Sequence, residues 1–183
     1  MNKSDLRKQM LIKRRNILNK KELSTIIVNK IINLDIYKES RVVALYNSLK
    51  DEVETRDLIK SQDKTLLLPK IINDKIEFIK IDNNTKYEKS SFGVMEPIGT
   101  IYNGPIDIII VPGVAFDRNL NRLGFGKGYY DKCLSHKDIY KIGICFDEQL
   151  VDNLVIDNHD IKMDLIITEK EFINEVNPIL DTL

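Results

Sequence analysis

Cysteine and histidine are scarce in this 183-residue chain: Cys133 and Cys145 do not stand at a Cys-x-x-Cys spacing, and His136 and His159 are the only imidazoles. A disulfide framework or a thiolate zinc site needs more sulfur at closer spacing, so neither is expected, and the usage fits a reducing cytoplasm. Gly-x-Ser-x-Gly and His-Glu-x-x-His are absent, which removes the usual serine hydrolases and zinc peptidases. No apolar run approaches the roughly 20 residues that span a bilayer. The opening MNKSDLRKQMLIKRRN lacks the apolar core of a secretory signal. Neither membrane insertion nor secretion is expected, and cleavage of the basic start as an organelle address is not expected either. No repeat, low-complexity tract or Pro/Gly/Ser linker divides the chain, so one domain over residues 1–183 is expected. With 43% hydrophobic residues, a chain of this size can bury roughly 70% of its unfolded surface around its own core.

What is present is unevenly placed. The formal charge is zero, yet residues 1–21 hold eight basic residues against Asp5, a net +7 that leaves −7 for the remainder. A basic segment on an otherwise acidic chain points to an anionic partner. At about 100° per residue, Lys3, Arg7 and Arg14 project within about 40° of one another, among Leu6, Met10 and Ile17. Cations on an apolar face must snorkel to water or meet an anion. Lys8, Lys13, Arg15, Lys20 and Lys21 fall to a solvated face.

The periodicity predicts helices over Asp5–Lys20, capped by Ser4, and over Ser24–Asn33, with shorter ones over Thr55–Ser61 and Gly128–Leu134. Strands are predicted at Arg41–Tyr46, Thr65–Leu68, Ile76–Ile81, Ile106–Val111, Lys141–Cys145 and Leu165–Thr168. Several of these runs are nearly continuous in Ile, Val and Leu, as strands covered on both faces require. The expected fold is therefore α/β: a single layered domain with a mostly parallel sheet flanked by helices. Ligands of such sheets bind beyond the carboxyl ends of the strands, here the segments after Tyr46, Leu68, Val111 and Cys145.

The run VPGVAFDRNLNRLGFGKGYYD, Val111 to Asp131, leaves a strand and ends in a helix. Gly124, Gly126 and Gly128 alternate with Phe125 and Lys127, so successive N–H groups can turn toward an anion without obstruction by a Cβ. Lys127 and Arg122 add full charges, and a helix start beyond Gly128 adds its dipole. The spacing is neither a Walker A loop nor a dinucleotide fingerprint. Asp131 follows directly, where a carboxylate could hold Mg²⁺ beside bound phosphates.

The run from Pro112 to Lys132 resembles the 5-formyltetrahydrofolate cyclo-ligases, whose pattern is Pro-Gly-x-Ala-Phe-Asp followed by Arg-Leu-Gly-x-Gly-x-Gly-Tyr-Tyr-Asp. Further agreement lies at Lys3 with Arg7, Glu54-Thr55, Pro69, Gly93-Val94-Met95-Glu96-Pro97, His159-Asp160 and Asp164 to Thr168. The resemblance implies a CoA-transferase-like layered sheet and an ATP- and Mg²⁺-dependent reaction. 5-Formyltetrahydrofolate becomes 5,10-methenyltetrahydrofolate, with release of ADP and phosphate. It implies that Lys3, Arg7 and the loop Arg122, Leu123, Gly124, Phe125, Gly126, Lys127, Gly128, Tyr129 and Tyr130 bind ATP. Lys127, Tyr129 and Arg122 would act in catalysis, and Asp131 and Asp164 would hold the metal. Glu54 would bind the pterin, with Leu49, Phe92, Met95 and Phe116 as its walls and Tyr129 facing the substrate. No protein nucleophile is needed, because the folate supplies both attacking atoms.

Three residues are read more plainly: His159 as a pin of the C-terminal turn, His136 as a surface residue, and Phe125 as lacking the polar group some relatives carry. Arg118-Asn119-Leu120 also stands where the family's turn carries glycine. The chain is expected to act as a monomer in the cytoplasm with no nucleic-acid partner. Two other readings remain at this point: a nucleic-acid binder using the basic start, and a sugar-phosphate or CoA-handling enzyme on a similar sheet.

Overall fold

A computed structural model of the chain describes residues 1–60, 63–135 and 137–175. Its centre is a seven-stranded sheet. The parallel strands are β1 (Val42–Ala44), β2 (Thr65–Ile72), β6 (Ile108–Val111), β9 (Tyr140–Ile144) and β11 (Leu165–Ile167). Antiparallel edges are added by β3 (Lys75–Ile81) and β12 (Phe172–Asn174), giving the order β12-β11-β9-β6-β1-β2-β3.

The continuous apolar runs have the cause inferred from the sequence. Val43, Leu66, Leu68, Ile108 and Ile110 face one core together with Ile27, Val28 and Ile31 of α2 (Lys20–Ile32). Ala44, Leu67, Ile109 and Val111 face a second core with Phe116 and with Cys133 and Leu134 of α5 (Tyr129–Leu134). Successive side chains alternate between faces, so only strands covered on both sides read as unbroken Ile, Val and Leu. The fold is α/β, with a mostly parallel sheet flanked by helices.

Helix α1 (Lys3–Arg15) begins earlier than the sequence suggested, because Asn2 rather than Ser4 is the cap: its Oδ1 accepts from the Asp5 N–H at 2.8 Å. It also ends earlier, at Asn16, and α2 starts already at Lys20. The helix expected from Thr55 is α4 (Arg56–Ile59), and α3 (Asp35–Glu39) was not anticipated. Residues 61, 62 and 136 lie outside the described residues, and with them the end of the expected Thr55–Ser61 helix and the surface assignment of His136. Met10 of α1 packs with Val114, Ala115, Leu123 and Leu154 in a satellite core.

That satellite core carries a second, three-stranded sheet: β7 (Ala115–Asp117) antiparallel to β8 (Arg122–Leu123) and parallel to β10 (Leu150–Val151). The turn between β7 and β8 is built on buried Asp117, whose carboxylate accepts from the N–H groups of Asn119, Asn121 and Leu154 and from Asn121 Nδ2. Leu120 takes φ +69° there, which explains why glycine suits this turn in the family pattern; this chain accepts the strain and buries the leucine side chain. The remaining hairpin, β4 (Lys86–Lys89) with β5 (Met95–Ile98), stands beside β2. It is fastened there by Glu96 Oε2, which accepts from the Ile71 N–H at 2.8 Å.

Phe116 is fully buried, and its ring lies where a Cβ on Gly143 would stand 2.6 Å away. Gly143→Ala is therefore expected to destabilise the protein by about 1–3 kcal/mol through overpacking, read as a lower denaturant midpoint at unchanged slope; a midpoint equal to the parent protein's would refute the contact.

Candidate active site

The carboxyl ends of β1 and β6 open into a cleft of about 540 Å³, within the size range of small-molecule sites. One wall comes from the segment after β1, with Tyr46, Asn47, Leu49 and Glu52. A second comes from Pro69, Ile71 and Ile76 of β2 and β3 with Ser90, Phe92, Val94 and Glu96 of the β4–β5 hairpin. The third is Arg122 to Asp131, faced by Lys3 and Arg7 of α1 and by Asp157, His159 and Asp160. A shallower groove between α2 and β12 holds one charged group, Lys30, and that ammonium already donates to the Thr168 carbonyl and lies over Phe172.

The glycines of the loop have separate causes. Gly126 and Gly128 take φ of +104° and +69°, in the region open to glycine. Gly124 is needed for space: a Cβ there would come within 3.0 Å of the Arg122 guanidinium. Arg122 itself is fixed by donation from Nε to the Pro112 carbonyl at 2.6 Å, with its Cζ 4.9 Å from the Tyr130 ring centroid. Arg7 Nε donates to the Gly124 carbonyl at 2.7 Å, so α1 braces the loop directly. Helix α5 has only six residues, so the loop amides and the two arginines, rather than a long helix dipole, make this wall cationic. Burial pushes the Tyr130 phenol above its ordinary pKa, and like any phenol it is a neutral hydrogen-bond donor near pH 7.

The model of the 5-formyltetrahydrofolate cyclo-ligase family matches residues 1–169. The 5-formyltetrahydrofolate cyclo-ligase of Mycoplasma pneumoniae is 35% identical over 179 residues, covering 93% of this chain and 100% of that protein. A probable 5-formyltetrahydrofolate cyclo-ligase of Schizosaccharomyces pombe is 34% identical over 174 residues, 82% of this chain and 85% of that one. The NMR structure of Aquifex aeolicus 5,10-methenyltetrahydrofolate synthetase superposes with a TM-score of 0.85 at 38% identity, covering 95% of this chain and 93% of that one. The chain belongs to the 5-formyltetrahydrofolate cyclo-ligase family.

Most of the residues assigned through that family meet in the cleft: Lys3, Arg7, the loop from Arg122 to Tyr130, Asp131, Leu49 and Phe92. Four do not. Glu54 turns outward, its Oε1 3.2 Å from Arg56 Nε, while Glu52, two residues earlier, is buried and lines the cleft. The sequence Glu52-Val53-Glu54 offered both carboxylates, and only the turn after β1 decides between them: Glu52 Oε1 accepts from the Leu49 N–H at 2.7 Å. Phe116 belongs to the core beneath the sheet and Met95 is exposed, its carbonyl accepting from Asn47 Nδ2. Asp164 sits at the amino end of β11, the far end of the parallel strands from the cleft, where its Oδ2 accepts from the Lys141 N–H and pairs with Lys141 Nζ at 3.2 Å.

The segment after Cys145 reaches the cleft only in its later part, through Asp157, His159 and Asp160, and not through the residues directly after β9. Gln149 instead pins the loop after β6 by donating from Nε2 to the carbonyls of Gly113 and Val114. His159 does not hold its turn; Asp160 does, accepting at Oδ2 from the Asp157 N–H at 2.8 Å, and the imidazole is exposed on the cleft rim. Lys20, expected in solvent, donates to the Arg15 carbonyl and to Asp51.

Lys3 Nζ is held by Asp157 and Asp160 at 2.7 and 2.8 Å, a latch joining α1 to the loop before β11. Burial opposes ionisation of Asp160, but hydrogen bonds from Lys3 and the Asp157 N–H outweigh it and hold the carboxyl below the usual range. A depressed folded-state pKa contributes stability above the unfolded value, near 3.9, and that contribution is lost as pH falls through the folded one. The protection of α1 amides, corrected for the intrinsic pH dependence of exchange, is therefore expected to fall below about pH 4, and Asp160→Asn is expected to remove that acid dependence; an unaltered pH profile in the variant would sink the latch.

Proposed function

We propose that this cyclo-ligase holds ATP on the glycine-loop wall and 5-formyltetrahydrofolate between Glu52, Leu49 and Phe92, so that the formyl oxygen meets the γ-phosphate. The observation carrying this reading is the convergence, in one cleft, of a cationic amide loop braced by Arg7 with a buried carboxylate opposite apolar walls. In this family's reaction the formyl oxygen takes the γ-phosphoryl group as the β–γ bond breaks and ADP leaves. The neighbouring amine nitrogen then attacks the activated formyl carbon, and phosphate departs as the ring closes. Catalysis reduces to alignment and charge stabilisation. Lys127 and Arg122 face the phosphates, Tyr129 stands at the junction of the two substrates, and Glu52 accepts the parallel N–H groups of the pterin's aminopyrimidine edge.

Carboxylate oxygen is the donor Mg²⁺ prefers, and Asp131 supplies it in the cleft wall next to Tyr130, one oxygen steadied by the Ile161 N–H at 3.1 Å. Bound there, the ion would neutralise phosphate charge. In this reading the chain works as a single-domain monomer. Both cysteines are free and buried, as suits a reducing cytoplasm, and no described helix is long and apolar enough to cross a membrane. The nucleic-acid reading loses half of the basic residues it drew on, because Lys3, Arg7, Arg14 and Lys20 are engaged within the fold while Lys8, Lys13, Arg15 and Lys21 are exposed.

The test is growth of the methenyl product's near-ultraviolet absorbance. Lys127→Ala is expected to weaken ATP use by about 1.5–3 kcal/mol, one charge-assisted contact. Glu52→Ala is expected to raise chiefly the folate requirement while Glu54→Ala leaves both substrates' kinetics near those of the parent; the reverse ranking of the two glutamates would overturn the folate assignment.

A further inference from the structure

Against the floor of the cleft lies a guanidinium without a hydrogen-bonding partner. Arg14, on the inward face of α1, is 5% exposed, and its Nε and Nη1 donate to nothing among the described residues. Nη1 stands 4.0 Å from Glu52 Oε2, within ion-pair range but beyond a hydrogen bond. The Phe125 ring of the glycine loop covers the guanidinium, 5.7 Å from its Cζ. A desolvated cation with unmet donors weakens a fold, and an apolar side chain would fill the same space at less cost. What Arg14 does supply is a nearby positive charge for a carboxylate that is itself buried and lines the cleft.

We infer that Arg14 is a positioning residue for the folate, acting through Glu52: it holds that carboxylate charged and in place for the pterin edge and touches no substrate itself. This rests on the folate role given to Glu52 above. Leu49 N–H fixes one carboxylate oxygen and Arg14 attracts the other, so the pair leaves the carboxylate little freedom to rotate. Burial raises the Glu52 carboxyl, opposed by the Leu49 N–H and by the charges of Arg14 from α1 and Arg122 from β8; Tyr46 and Tyr130 also face it. Deleting the Arg14 charge removes one of the groups that keep the carboxylate ionised, so its titration moves upward. Phe125, which contributes no polar group to the loop, thereby acquires a use as the cover that keeps water from the pair.

Calorimetry of 5-formyltetrahydrofolate binding to the parent enzyme, Arg14→Met, Glu52→Gln and the double variant tests this. Arg14→Met and Glu52→Gln are each expected to weaken folate binding about tenfold or more near pH 7, with the double variant no weaker than Glu52→Gln alone. Nucleotide-analogue affinity is expected to stay within about twofold, and the Arg14→Met deficit to shrink as pH is raised, because a buried carboxyl that has lost a facing cation needs a higher pH to ionise. Arg14→Lys is expected to recover part of the loss, and it carries the test should the methionine variant misfold. Parent-like folate affinity in Arg14→Met, or a loss that adds in full to that of Glu52→Gln, overturns the positioning role while leaving Glu52 as the folate carboxylate. A Glu52→Gln variant that binds folate like the parent removes the folate assignment itself, and this inference with it.

Discussion

Arg7, on the inward face of the first helix, donates a hydrogen bond to the Gly124 carbonyl of the glycine loop, and the geometry of the cleft depends on that contact. A loop with glycine at alternate positions has little intrinsic preference for one conformation. Here it is clasped between an arginine from residue 7 and another from β8, whose guanidinium occupies the space a side chain at Gly124 would need. Lys3, about one turn before Arg7, and Arg14, about two turns after it, extend the same clasp to Asp160 and to Glu52. Segments separated by more than a hundred residues are thereby held in one register.

Such a clasp suits the chemistry. A phosphoryl transfer followed by ring closure within the same substrate asks for no nucleophile from the protein, and among the described residues no cysteine lines the cleft. Both thiols are buried away from it, with their pKa values raised by desolvation. The chain offers instead fixed positive charge along one wall and a buried carboxylate on the other. Preorganised charge of this kind acts on a developing phosphate without reorganisation during the reaction.

Periodicity carried the fold well. The core strands of the seven-stranded sheet appeared in sequence as apolar runs because both of their faces are covered, and that condition leaves a local trace. The edges left none: β12 and the β4–β5 hairpin are short and mixed in polarity, and although each strand pairs with a neighbour close in sequence, no apolar run marks it. The boundaries of α1 moved because Asn2 and Ser4 are both competent caps, and only Asn2 presents its oxygen to the Asp5 amide.

The candidate site divides in the same way. Local spacing determined the glycine loop with its flanking charges and the alignment of Lys3, Arg7 and Arg14 on one helical face, since helix pitch and backbone sterics act over a few residues. Whether Glu52 or Glu54 entered the cleft, whether Asp164 stood beside Asp131 or at the far end of the strands, and what Arg14 would face were settled by tertiary packing. Apart from the Leu49 N–H that turns Glu52 inward from three residues away, those outcomes rest on which groups from remote segments arrive within hydrogen-bonding or ion-pairing distance, and no stretch of sequence records a distance between two parts of the chain that meet only once the sheet has formed.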